Sequence, residues 1–195
     1  MSGLKSKISI GAHPFLYPEP VLLVGSYDRN DKANVMLAAW AGMCSSAPPS
    51  LMVAVRPERW SHDAIIGRKA FTIGIASESM LVAADYTGLV SGRKGDKFAA
   101  AGFTPIRAEK VDAPYVAECP VVLECALTRH LTVGVHTLMF ADILDIKADE
   151  DCLGPGGKPD INKMSALLYE GGQNAYYGVG RRLGDAFSAG KALMK

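Results

Sequence analysis

Residues 21–28 read VLLVGSYD, a β-branched apolar run that ends in polar turn residues. The polar quartet Arg29-Asn30-Asp31-Lys32 follows, and a second apolar run, NVMLAAWAG, occupies 34–42. Two apolar runs around a short polar turn predict a β-hairpin. Pro48-Pro49 stops this pattern, and SLMVAVR at 50–56 predicts a third strand. Trp60, Ala64 and Ile65 fall at roughly helical spacing within 59–69, which predicts a short helix. FTIGIAS at 71–77 predicts a further strand, with Ser77 placed to cap a helix built from Met80, Leu81, Ala84 and their neighbours. Residues 88–102 are rich in Gly and charge and read as a loop around a short helix at 96–101. Two longer strands, 121–131 and 136–148, flank a turn at 132–135 that contains Gly134, so a second hairpin is expected. Residues 153–160 form a turn-rich loop, and Val179, Leu183 and Phe187 fall at helical spacing in a glycine-containing tail, 178–195.

Five or six strands separated by short helices are too β-rich for a doubly wound α/β fold. No G-x-G-x-x-G follows a strand and opens a helix, which argues against a Rossmann unit. The expected class is mainly β (α+β), an antiparallel barrel with peripheral helices. No repeat, linker or low-complexity tract divides residues 1–195, so one domain is expected.

Composition narrows the function classes. Lys and Arg number 21 against 20 Asp and Glu, a formal net charge of +1, so no basic surplus drives nucleic-acid binding. The opening residues carry no apolar run long enough for a signal peptide, and no apolar stretch reaches the ~20 residues of a membrane span. A cytoplasmic protein is expected. Cys44, Cys119, Cys125 and Cys152 lack C-x-x-C spacing, and His13, His62, His130 and His136 form no ligand pair with a carboxylate, so no metal site is expected.

The segment YPEPVLLVGSYDRNDKANVMLAAWAGMCSSAPP, residues 17–49, resembles the flavin reductase-like family, and its flavoredoxin branch in particular. Family members open with Y-P-x-P-V, turn at V-G-[ST]-Y-D and carry an N-x-M-x-x-x-W-x-G run ending in C-S-x-P-P. VRPERWSHDAI, DKFAAAG, GVHTLMFADILD and YYGVGRRLG match in the same order, so the resemblance covers roughly the whole chain. It implies an FMN-binding split barrel, usually a homodimer, in which electrons pass from NAD(P)H through FMN to free flavin, a metal complex or a redox protein. The alternative within the same family is a non-enzymatic FMN carrier reduced by another protein, to which Trp40 and the YYGVG ending point.

The resemblance also assigns roles to residues. Asn34, Met36, Leu37, Ala38, Ala39 and Trp40, followed by Cys44 and Ser45, would form the flavin wall, where small side chains let backbone donors approach a planar ring. Leu37, Ala39 and Met43 stand where the wider family often has hydroxyls, which leaves backbone contacts as the main polar ones. Cys44 is read as a contact residue, not a redox thiol. Arg56, Arg59, Trp60 and Ser61 are the phosphate candidates, since a phosphate monoester needs charge-assisted donors and helix-start N–H groups. Lys97 is either a further phosphate ligand or a surface lysine. His136, directly after Gly134-Val135, is either a residue that meets the nicotinamide or one that steadies the hairpin.

Overall fold

A computed structural model describes residues 5–194. After a two-residue strand, β1 (Glu19–Pro20), the first predicted hairpin is present: β2 (Leu22–Tyr27) pairs antiparallel with β3 (Ala33–Ala38). Its turn is fixed by Asp28, whose Oδ1 accepts from the N–H groups of Asn30 (2.7 Å) and Lys32 (3.0 Å). The chain then runs through β4 (Ala41–Ser46), β5 (Pro49–Val55), α1 (Trp60–Arg68) and β6 (Ala70–Ile75). A 3-10 turn (Glu78–Met80) leads into α2 (Leu81–Leu89), and α3 (Lys97–Ala101) follows. Two short strands come next, β7 (Pro105–Arg107) and β8 (Pro114–Val116). The long predicted hairpin is β9 (Val121–Val133) and β10 (His136–Ala148), closed by the two-residue turn Gly134-Val135. Finally β11 (Leu167–Glu170) and β12 (Ala175–Gly178) pair with each other, and β11 also pairs with β1.

Seven strands form one antiparallel sheet in the order β3-β2-β6-β9-β10-β5-β4. Its two edges, β3 and β4, are consecutive in the chain and joined only through Ala39 and Trp40. Two residues cannot span an open seven-stranded sheet, so the sheet must curl until its edges meet. They meet without pairing, and the result is a split β-barrel.

Both faces of the early strands are covered. Leu22 and Val24 point into the barrel with Met36, Val53, Phe71 and Met139, while Val21 and Leu23 point outward against Met80, Ala84, Phe98 and Leu167. That double burial is why 21–28 lacks polar alternation. Gly25 is required by a close approach: a Cβ there would collide with the Pro114 carbonyl oxygen and Thr72 Oγ1.

Besides the short strands β1, β7, β8, β11 and β12, which raise the strand number above the five or six expected, the structure departs from the sequence expectations at three places. The run 34–42 is not one strand; it breaks at Ala39-Trp40, where the pairing partner changes from β2 to β5. Ser77 stands at the N-cap of the 3-10 turn in extended conformation, but its hydroxyl bonds Ser79 Oγ (2.9 Å) instead of a backbone N–H. The tail from 178 forms no α-helix among the described residues: only a 3-10 turn, Ala189–Leu193, occurs, and Leu183 and Phe187 are 86% and 99% exposed. Glycines at 180, 184 and 190 weaken the helix, and of the apolar stripe only Val179 packs, against the cluster of Val121, Cys152, Met164 and Ala166.

Candidate functional site

The split in the barrel opens into a cavity of about 540 Å³, inside the range of ligand sites. One wall is β3 and its exit, from Asn34 through Met36, Leu37, Ala38 and Ala39 to Trp40. Beside it stand Ala54, Val55 and Arg56 at the end of β5 and Arg59, Trp60 and Ser61 at the start of α1, with the Ala54 N–H donating to the Trp40 carbonyl at 2.8 Å. The segment after α2, from Thr87 to Gly92, closes a third side, with Lys97 behind it and His136 and the β11–β12 tyrosines at the rim.

Of the residues proposed from the sequence, all but two line this cavity. Cys44 and Ser45 lie on β4 outside the lining, and Cys44 is exposed. Past the Ala39-Trp40 break the strand turns to pair with β5, and its side chains leave the cavity wall.

The polar groups gather at one end. The Asn34 amide donates to Ser61 Oγ at 2.8 Å, and both side chains are buried. With its oxygen accepting from Asn34, the Ser61 hydroxyl has its own proton free to donate. Arg59 is the N-cap of α1 and makes no side-chain capping bond. An arginine is a poor choice there, because it offers no acceptor to the first-turn N–H groups and its charge opposes the helix dipole. An anion between Arg59 and those N–H groups would reverse both penalties.

Lys97 is the least expected of these groups, being only 4% exposed, with its Nζ donating to the Thr87 carbonyl at 2.7 Å. Among the described residues no carboxylate pairs with it. Burial, with Arg59 adding repulsion, pulls its pKa from 10.5 down to about 8. A buried ammonium without a counter-ion is costly. Arg56 differs, because its Nε is held by Glu58 Oε1 at 2.7 Å. Of the two arginines among the phosphate candidates, Arg59 is the one without an ion-pair partner among the described residues.

The other end is apolar and aromatic. The rings of Trp40 and His136 lie 4.8 Å apart, tilted by 35°, and Trp40 is 42% exposed at the mouth. Two tyrosines from the small sheet add a wall that the sequence reading missed. Tyr176 donates to Asp85 Oδ1 (2.7 Å), Tyr169 donates to Asn174 Oδ1 (2.7 Å), and the two rings stand 5.6 Å apart. Burial and then Asp85 push the Tyr176 hydroxyl pKa well up, so it stays a donor.

A family model described as a flavin reductase like domain matches residues 15–176. The chain belongs to the flavin reductase-like family. Two solved flavoredoxins share its fold over nearly the whole length. That of Desulfovibrio vulgaris (Miyazaki F) is 46% identical, covers 95% of this chain and all of its own, and superposes with a TM-score of 0.91. That of Methanosarcina acetivorans is 34% identical, covers 97% of this chain and all of its own, and gives 0.92. A protein of Archaeoglobus fulgidus is 31% identical over 160 residues, 82% of this chain and 88% of its own length. The family assignment and the flavoredoxin resemblance thus agree with the reading from residues 17–49.

The residues present fit FMN. The cavity wall is apolar and lined by small side chains along β3, as a planar ring requires. Its polar end carries an uncompensated buried cation, an unpaired arginine and a free hydroxyl proton, which a phosphate monoester would complement.

Proposed function

We propose that the chain forms a single FMN-binding domain and acts as an FMN-dependent oxidoreductase taking electrons from NAD(P)H. Lys97, buried without a counter-ion beside the unpaired Arg59 and the Ser61 hydroxyl, carries this reading. Bound in the cavity, FMN would supply the redox chemistry, accepting hydride and passing electrons on to free flavin, a metal complex or a redox protein. The protein's part is to hold and shield. Ser61, Arg59 and Lys97 would bind the phosphate, with Arg56 at the mouth beside Glu58. Met36 to Ala39 would face the ring with close backbone, and Tyr169 and Tyr176 would exclude water from the far side. His136 would meet the nicotinamide.

A second reading, an electron carrier reduced by another protein, is favoured by one observation. The Trp40–His136 pair occupies the rim over which a nicotinamide would have to stack. Anaerobic addition of NADH or NADPH to the flavin-loaded protein separates the two. Bleaching near 450 nm within a catalytic time supports the oxidoreductase, and a spectrum that changes only when a reduced redox protein is added supports the carrier. Protein that takes up no flavin at all overturns both.

A homodimer is proposed as the working unit, because Leu131, Val133 and Val135 at the tip of the long hairpin are exposed apolar side chains. A cytoplasmic setting is proposed with it. Among the described residues no helix is long and apolar enough to cross a membrane.

A further inference from the structure

The β11–β12 hairpin reaches the cavity rim through Tyr169, Asn174 and Tyr176. It is held firmly at one end only. At its root Leu167 is buried in the cluster that holds Val21, Leu23 and Val122. The Leu167 N–H donates to the Ala76 carbonyl (2.9 Å), and the Leu167 carbonyl accepts from the Val21 N–H (3.3 Å). Farther out the hold weakens. Each strand is four residues long, β12 is half-buried to exposed, and residues 171–174 at the tip are exposed.

The tip satisfies its own polar groups. The Glu170 carboxylate accepts from the N–H groups of Gly172 (2.8 Å) and Gln173 (3.2 Å), and the Tyr169 hydroxyl donates to Asn174, which adopts a left-handed φ of 54°. Tyr17 also bonds Glu170, but it leads into β1, a strand of the same small sheet.

One side-chain bond ties this hairpin to the far wall. The Tyr176 hydroxyl donates to Asp85 Oδ1 on α2 at 2.7 Å. Both residues line the cavity, so the bond bridges two of its walls. Among the described residues no other side-chain hydrogen bond joins residues 167–178 to the barrel or its helices. Burial of the Tyr176 hydroxyl, and the negative charge of Asp85 beside it, keep the tyrosine protonated and the bond made. A hydrogen bond to a carboxylate is among the stronger kinds, and losing one shifts an equilibrium by roughly ten- to a hundredfold.

We propose that the β11–β12 hairpin is a lid on the flavin cavity and that the Tyr176–Asp85 bond is its latch, setting how fast flavin enters and leaves. A segment anchored at its root, self-contained at its tip and held across the rim by one bond opens locally without disturbing the barrel. The latched chain keeps its flavin from one turnover to the next, as a prosthetic group. Weakening the latch turns the same cavity towards flavin that exchanges as a substrate. The inference rests on the flavin reading for the identity of what the lid encloses; the latch rests on the geometry alone.

The test compares wild type with Tyr176→Phe, which keeps the ring and removes the donor, and with Asp85→Asn, which keeps an acceptor and removes its charge. Rapid mixing of apo-protein with FMN gives the entry rate. Release on large dilution, read as recovered FMN fluorescence, gives the exit rate. The latch is the same bond in empty and loaded protein, so its loss should raise both rates by one factor and leave Kd unchanged. That factor should be roughly ten- to a hundredfold for Tyr176→Phe and smaller for Asp85→Asn, which retains a neutral bond. Amide hydrogen exchange of the apo-proteins should quicken within residues 168–177 and not in the barrel strands. Unchanged rates in Tyr176→Phe overturn the proposal. So does a faster exit with an unchanged entry, which would make the hydroxyl a direct flavin contact. Faster exchange throughout the barrel overturns it as well, because the bond would then be a strut of the fold. If even the wild type takes up no FMN, the flavin reading falls. Exchange then decides the lid by itself: quickening confined to 168–177 in Tyr176→Phe supports it, and no quickening there overturns it.

Discussion

Replacing Lys97 by Met separates binding from folding in one residue. Because the folded-state pKa, about 8, lies below the ordinary 10.5, the unfolded chain holds this proton more tightly than the folded one. Between those two values stability climbs as pH rises, and below about pH 8 the full cost of the charge is present. At ~1.4 kcal/mol per pH unit, that cost is roughly 3 kcal/mol. Methionine has similar length and no charge, and it forfeits the bond to the Thr87 carbonyl, worth about 1 kcal/mol. Flavin-free Lys97→Met should therefore be more stable than wild type at pH 7 by about 1–2 kcal/mol, a rise in Tm of roughly 3–6 °C. Its FMN affinity should fall by about ten- to a hundredfold, since a charge-assisted bond to phosphate is lost, while riboflavin affinity should hold. The pH dependence follows with the same sign. Wild-type FMN affinity should weaken above pH 8 by up to about tenfold per unit as Lys97 loses its proton, and the variant should lack that slope. Calorimetry of the apo-proteins and fluorescence titration with both flavins read all of this. A variant that is less stable than wild type and loses FMN and riboflavin equally would refute the argument, because Lys97 would then be a structural strut for Thr87.

Ser61→Ala should weaken FMN by about tenfold and leave riboflavin affinity intact, the hydroxyl being a single phosphate donor; equal losses in both titrations would make the Asn34–Ser61 bond a structural one. His136→Ala should bind FMN and melt normally but slow anaerobic flavin reduction by NAD(P)H several-fold, whereas a drop in Tm with an unchanged rate would tie the imidazole to the hairpin and to Trp40 only. Gly25→Ala should cost about 2–4 kcal/mol in urea unfolding, because the new methyl displaces the Pro114 carbonyl and breaks its 2.6 Å bond from Thr72.

The sequence was most legible where the information is local. Both hairpins were readable because their turns carry their own chemistry: Asp28 caps one, and Gly134 at φ 56° turns the other. The short helix at 97–101 was marked at both ends, by Asp96 accepting from the Ala99 N–H and by Gly102 at φ 68°. The wall from Asn34 to Trp40, Ser61 and Lys97 was reached through motif resemblance, since small residues on a strand do not by themselves announce a ligand.

The remainder depended on pairings between distant segments. β1 pairs with β11 some 150 residues later, and β11 and β12 are short and only partly buried, so no periodicity marks them. Tyr169 and Tyr176 reach the cavity only through that small sheet. Arg56 and Arg59 look alike in sequence; Glu58 takes the first and leaves the second unpaired. Cys44 and Ser45 continue the wall along the chain but leave it in space. Alternation and turn chemistry act over a few residues and so are written in order along the chain. Which edge a strand joins, and which charge stays uncompensated, is settled by the closing of the barrel, where segments far apart in sequence share one surface.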